Sequence, residues 1–164
     1  MSAYITLATP MTDRECLLEA LAALGFGSQK VEVHDEPVAL VGYEGTRRGQ
    51  EANIVIRRAH VGGASNDIGF LATKTGYQAF VSDYDRGRHG NRWLAELNTR
   101  YQAAWTAKQE RLAEEERKRV EEERRQLVEA QREAIHRKAK KLGYRVQETR
   151  EDGKLRLVLI KRVY

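Results

Sequence analysis

The apolar positions change period several times along the chain. Tyr4-Ile5-Thr6-Leu7-Ala8 alternates as a short strand does and stops before Pro10. Thr12-Asp13-Arg14-Glu15 has the form of a capping box, in which Thr12 accepts from the third helical amide and Glu15 reaches back to the Thr12 amide. Met11 and Cys16 fall at the staple positions around that box, which assigns Cys16 to packing. Leu17, Leu18, Leu21 and Leu24 continue at helical spacing, and Gly25 is placed to end this helix in a left-handed turn. From Gln29 to Asp83 the pattern shortens into β-like runs. Runs 30–33 and 38–43 flank Asp35-Glu36-Pro37 as a hairpin turn, and runs 52–57, 68–72 and 77–81 follow between glycine-containing loops. These runs predict an antiparallel sheet with one face covered by the first helix.

The dominant pattern comes next. No Gly or Pro interrupts the 52 residues from Asn91 to Leu142, and Gly143 supplies the stop. At the helical rise this interval would extend about 78 Å, against a width of roughly 30 Å for a small domain. Part of it is therefore expected to project from the body or to pack against another chain. Trp93, Leu94, Leu97, Tyr101, Ala104 and Trp105 form an apolar stripe suited to the sheet. Across 107–125 the only sizeable apolar residues are Leu112 and Val120. Pairs such as Glu114–Lys118, Glu115–Arg119 and Glu121–Arg125 have the favourable orientation, worth about 0.2–0.5 kcal/mol each in an isolated helix. Trp105, Leu112, Val120, Leu127, Ile135 and Leu142 make a thin seam with one good apolar residue per heptad, where a coiled coil normally has two. A solvated single helix and a weak coiled coil, self-associating or binding a partner, both fit that seam. Runs 144–148 and 155–163 around Glu151-Asp152-Gly153-Lys154 predict a closing hairpin. The expected architecture is α+β: a body over 1–90, a long helix over 91–142 with a charged extension at about 106–137, and a hairpin over 143–164 completing the body.

Composition sharpens this picture through the location of charge. Residues 1–89 carry 9 Lys+Arg and 11 Asp+Glu, whereas 107–141 carry 12 and 9, and 142–164 carry 6 and 3. The overall +5 therefore belongs to the C-terminal half, which would attract nucleic acid, anionic lipid or an acidic protein surface. The single cysteine excludes an intramolecular disulfide and any zinc site built on several thiolates. The N-terminal residues do not read as a signal peptide, and no apolar run approaches the roughly 20 residues of a membrane-spanning helix. A cytoplasmic protein is the expectation.

Several short signatures occur in order: Met1-Ser2 with Tyr4, Gly42-Tyr43, Ala52-Asn53-Ile54-Val55-Ile56, Asp67-Ile68-Gly69-Phe70, Thr99-Arg100-Tyr101, Gly143-Tyr144, and Asp152-Gly153 leading into 155–161. Together they resemble the uncharacterised family of the hypothetical chloroplast reading frame 35 proteins and their bacterial relatives, over about 1–105 and 138–164. The chain departs from that pattern at Ala3, where many relatives have His, and at Asp83-Tyr84, where the aromatic cluster is reduced. Residues around 106–137 look like an insertion lengthening the helix. The family brings no established activity. Its bacterial relatives tend to be encoded near ATPases of the AAA type, so the resemblance implies a partner or adaptor role.

Candidate chemistry is sparse. His34, His60, His89 and His136 are scattered without metal-ligand spacing, and Gly62-Gly63-Ala64-Ser65 lacks the Gly-Lys-Ser/Thr ending of a phosphate loop. No catalytic, cofactor or metal residue is assigned. Asp67 is read either as a cap for the loop before a strand or as a surface for a ligand or partner. The candidate partner surface comprises Asp67, Phe70, Leu112, Val120 and Leu127. The basic doublets give candidate nucleic-acid contacts at Arg47, Arg48, Arg57, Arg58, Lys140 and Lys141, against which stand the interleaved acids of the helix and the lack of a known binding motif. The leading expectation is a non-catalytic adaptor that partners an AAA-type ATPase. The alternative is a nucleic-acid-associated protein using the basic half.

Overall fold

A computed structural model describes residues 3–161. Met1, Ser2 and Arg162–Tyr164 lie outside the described residues, and with them the Met1-Ser2 signature and the expected end of the last strand at Val163. The chain is α+β and divides into two compact units, 1–110 and 111–164. No described helix is long and apolar enough to cross a membrane.

In the first unit, β1 (Tyr4–Ala8), β2 (Val31–Val41), β3 (Arg47–Ile56), β4 (Ile68–Thr73) and β5 (Gly76–Ser82) form one antiparallel sheet in the order β1-β5-β4-β3-β2. Helix α1 (Arg14–Ala23) and the start of α4 (Asn91–Lys141) cover one face. There Cys16, Leu17, Ala20 and Leu21 meet Ile54, Ile56, Phe70 and Val81, together with Leu97, Tyr101 and Ala104 of α4. Leu40, Ala52, Val55 and Phe80 form a second cluster, in which Val55 and Phe80 alternate with Ile54, Ile56, Ala79 and Val81 of the first and so face the other side of the sheet. Strand β3 is thus buried on both faces, which explains its unbroken run from Ala52 to Ile56. Gly69 lets the second cluster close: a Cβ built there would stand 2.7 Å from both the Ala52 Cβ and Leu40 Cδ1.

Two local expectations give way to longer-range partners. Asp13, not Thr12, caps α1, and its carboxylate accepts from the Cys16 amide at 2.9 Å. The Thr12 and Asp13 amides both donate to the Tyr101 hydroxyl, at 3.1 and 3.0 Å, so Thr12 has no amide left for Glu15. Glu15 pairs instead with Lys108 at 2.7 Å, and Lys108 also reaches Asp13 at 2.8 Å. The end of α1 is as expected. Gly25, at φ 92°, donates to the Ala22 carbonyl and Phe26 donates to that of Leu21, which is the Schellman pattern.

Asp35-Glu36-Pro37 is not a hairpin turn. It lies within β2 as an irregularity between the Val33–Ile54 and Val38–Ala52 pairs, so four residues of β2 stand opposite Asn53 alone. Asn53 supplies what the ladder loses, donating to the His34 and Asp35 carbonyls at 3.3 and 3.0 Å and accepting from the Ala72 amide at 3.0 Å. A side-chain amide satisfies both strands at once, so the chain continues straight on where a turn was expected. Two short helical turns complete this unit, α2 (Arg58–Val61) and α3 (Arg86–His89).

In the second unit, β6 (Tyr144–Glu151) and β7 (Lys154–Lys161) pair only with each other. Asp152 and Gly153, at φ 49° and 71°, make the left-handed two-residue turn that Asp-Gly predicted. The hairpin is a two-stranded sheet of its own and adds no strand to the five-stranded sheet. It groups with residues 111–141 of α4, where Arg132 and His136 both bond Glu148.

Candidate functional site

Three consecutive polar residues, Ser65, Asn66 and Asp67, are buried at the entry to β4. Burial of polar groups is costly unless each finds partners, so the partners define what the segment does. The Asp67 carboxylate accepts from the Arg58 amide at 2.7 Å through Oδ1, and from the Val41 amide and the Arg57 guanidinium, both at 2.9 Å, through Oδ2. Its backbone adds a bond to the Val41 carbonyl at 3.0 Å and accepts the Tyr4 hydroxyl at 3.0 Å. Burial, and next the Asp67 charge, push the Tyr4 hydroxyl well above the ordinary tyrosine range, which keeps it a donor. Arg57 continues outward to Glu32, at 2.9 and 2.6 Å, and this pairing raises the guanidinium and lowers the Glu32 carboxyl. One aspartate thus ties together four elements, its carboxylate holding β2 and α2 to the start of β4 and its carbonyl holding β1.

The flanking residues extend the junction. Asn66 accepts from the Tyr43 amide at 2.9 Å, and Arg58 donates to the Tyr43 carbonyl, fixing the β2–β3 turn. Ser65 donates to Asp85 at 2.8 Å, and Arg88 reaches the same oxygen at 3.0 Å. The second Asp85 oxygen and His89 Nδ1 are buried without a partner, and burial lowers the His89 pKa, keeping the ring neutral near neutral pH. His89 packs edge-on against Trp93 at 5.2 Å and Phe26 at 6.0 Å.

The acid–base candidates do not gather. Asp83 is exposed, His34 pairs with Glu32, His60 is exposed and His136 belongs to the second unit. Among the described residues no group of three or more His, Cys, Asp or Glu is placed to hold a metal ion. Cys16 is buried, and burial raises its thiol pKa, which suits packing and not nucleophilic attack.

The expected partner surface divides. Asp67 and Phe70 are 1% and 0% exposed, so neither presents a surface: Asp67 is spent on the junction and Phe70 on the core. Leu112, Val120 and Leu127 are 45%, 52% and 59% exposed. With Val128, Ile135, Leu142, Val158, Leu159 and Ile160 they place in the second unit nine of the eleven exposed large hydrophobics among the described residues. Only Ala139 is buried there among the described residues. A single helix carrying a two-stranded ribbon is short of core by any ordinary measure.

The basic doublets also divide. Arg57 is engaged by two carboxylates and Arg58 by the Tyr43 carbonyl, Arg48 lies over the Tyr43 ring at 6.0 Å, and Arg47 is exposed. Lys140 and Lys141 line a shallow depression of α4 with Ala134, Arg137 and Lys138. The sequence pattern singles out Asp67 but not its partners, and Ser65 enters it only as the end of a glycine-containing loop that lacks the phosphate-loop ending. Three polar residues entering a strand were the available signal.

The sequence model of one family, described as a protein of unknown function (DUF1257), matches residues 20–128. The match includes 106–128, which had been expected to be an insertion of this chain, and does not extend over 138–164. No curated protein and no solved structure matches.

Proposed function

The chain belongs to the DUF1257 family of proteins of unknown function, and from that premise we propose that it is a non-catalytic interaction protein whose second unit holds a protein partner. The observation that carries this reading is the unit's incomplete burial: among its described residues, nine exposed large hydrophobics stand against one buried alanine. Apolar surface on that scale marks a contact surface. The flank of α4 bearing Leu112, Val120 and Leu127 is the proposed seat. Around it acids and bases pair along the helix, as in Glu114–Arg117 at 2.6 Å and Glu116–Arg119 at 2.7 Å, and such a polar rim suits a reversible complex. We extend the family relation to the chloroplast reading frame 35 proteins, and take as partner an ATPase of the AAA type in the cytoplasm.

The test is capture from native extract with the full-length chain and with a Val120→Asp/Leu127→Asp variant. Both positions are exposed, so the fold is unaffected. Nuclease-resistant recovery of an AAA-type ATPase by the parent chain and its loss from the variant are expected. An identical catch from both would end this reading.

A further inference from the structure

We propose that the outer face of the β6–β7 ribbon binds duplex DNA by lying in its major groove. The register sorts the ribbon into two faces. Tyr144, Val146, Glu148, Leu155 and Leu157 share one face, on which Glu148 bonds Arg132 and His136 of α4. The opposite face carries the pairs Arg145–Ile160, Gln147–Val158, Thr149–Arg156 and, next to the turn, Glu151–Lys154, and all eight residues are exposed.

The chemistry of that face selects the occupant. Arg145 and Arg156 have no acidic partner among the described residues, whereas Arg117, Arg119, Arg125 and Arg132 on the helix each do. Residues 130–164 carry 11 Lys+Arg against 4 Asp+Glu. Of those four acids Glu133 lies on α4, Glu148 faces the helix, Asp152 is in the turn, and Glu151 alone stands on the outer face, opposite Lys154. The field at the outer face is therefore positive and fits a polyanion. Arg145 and Arg156 supply the charge that neutralises backbone phosphates, Gln147 is of the class that reads adenine edges, and Thr149, Val158 and Ile160 supply apolar contact for thymine methyl groups. A two-stranded ribbon fits the roughly 12 Å major groove of B-form DNA, while the deep, narrow major groove of A-form RNA does not admit it. Among the described residues no aromatic side chain stands on the outer face, so stacking on single-stranded bases has no platform there. The surface is distinct from the Leu112–Leu127 flank, the proposed seat of a protein partner, although Val158 and Ile160 are two of the unit's exposed hydrophobics.

The experiment is fluorescence anisotropy with the full chain and three labelled probes, a DNA duplex of about 20 bp, its single strand and an RNA duplex, over a salt series from about 50 mM. The DNA duplex should bind most tightly, with affinity falling as salt rises. Arg145→Ala/Arg156→Ala should lower the slope of log K against log salt by about 2, at about 0.9 per phosphate contact. Lys140→Ala/Lys141→Ala, on helix positions outside the ribbon, should lower it less. No duplex binding at low salt, equal binding of the single strand, or a slope that responds only to the lysine pair would overturn the proposal. So would a dimer by sedimentation velocity that Val158→Ser/Ile160→Ser dissociates while duplex binding stays unchanged, because the face would then be a contact between copies.

Discussion

Replacing Asp67 separates a structural junction from a recognition residue. Asp67→Ala removes an acceptor for two backbone amides, those of Val41 and Arg58, and for the Arg57 guanidinium. Each stranded amide costs about 1–3 kcal/mol when water cannot replace the lost partner. Both sites are only partly buried, so the lower half of that range applies. Arg57 keeps Glu32 and is about a third exposed, so its loss adds little. The sum is about 2–4 kcal/mol, a large part of the usual stability of a domain. Asp67→Asn should cost somewhat less, because one oxygen survives, but its amide group must then face a donor. The assay is urea unfolding followed by Trp93 and Trp105 fluorescence, both residues lying in the first unit. A fall in midpoint with unchanged slope is expected. A loss below about 1 kcal/mol for Asp67→Ala would refute the reasoning and return Asp67 to the class of binding residues.

Gly69→Ala should destabilise the first unit by about 1–3 kcal/mol in the same assay, because the new methyl meets the Ala52 Cβ and a fully buried Leu40. Asn53→Ala should cost about 1–3 kcal/mol by stranding the His34 and Asp35 carbonyls and the Ala72 amide, with raised amide exchange expected along β4. Arg132 first and His136 second hold the Glu148 carboxyl down at about 2, against an ordinary value of 4.5. A depressed carboxyl stabilises the fold above its unfolded pKa, so ribbon amide protection should decline as pH falls from about 4.5 towards 2. Glu148→Gln should abolish that dependence.

What was legible in the sequence was local. β1, both ends of the β4–β5 pair and the closing Asp-Gly turn follow from alternation and turn chemistry over a few residues. The limits of α4 follow from the absence of breakers. The errors share a cause, a partner distant in sequence. Thr12 gives up the cap of α1 to Asp13, and its amide, expected to meet Glu15, donates instead to Tyr101, 89 residues away. Asp35-Glu36-Pro37 has the composition of a turn, and only Asn53 across the ladder keeps the strand running. Asp67 was recognisable as unusual, but its meaning rests on Tyr4 and Val41, 63 and 26 residues away. Helix α4 offers the converse case: its exposed leucines were readable because nothing distant comes to cover them.

The irregular stretch of β2 also determines how the sheet meets other chains. β2 is an outer strand, and an open strand edge is a template on which any extended peptide can add itself. Asp35, Glu36 and Pro37 are all exposed, and they put two negative charges and a missing amide donor in the middle of that edge. The displaced backbone there is already occupied by the Asn53 side chain. An incoming strand would find neither a continuous row of donors nor a flat line of approach. The feature that defeated a local reading of the chain thus guards the body against growing by strand addition into an aggregate.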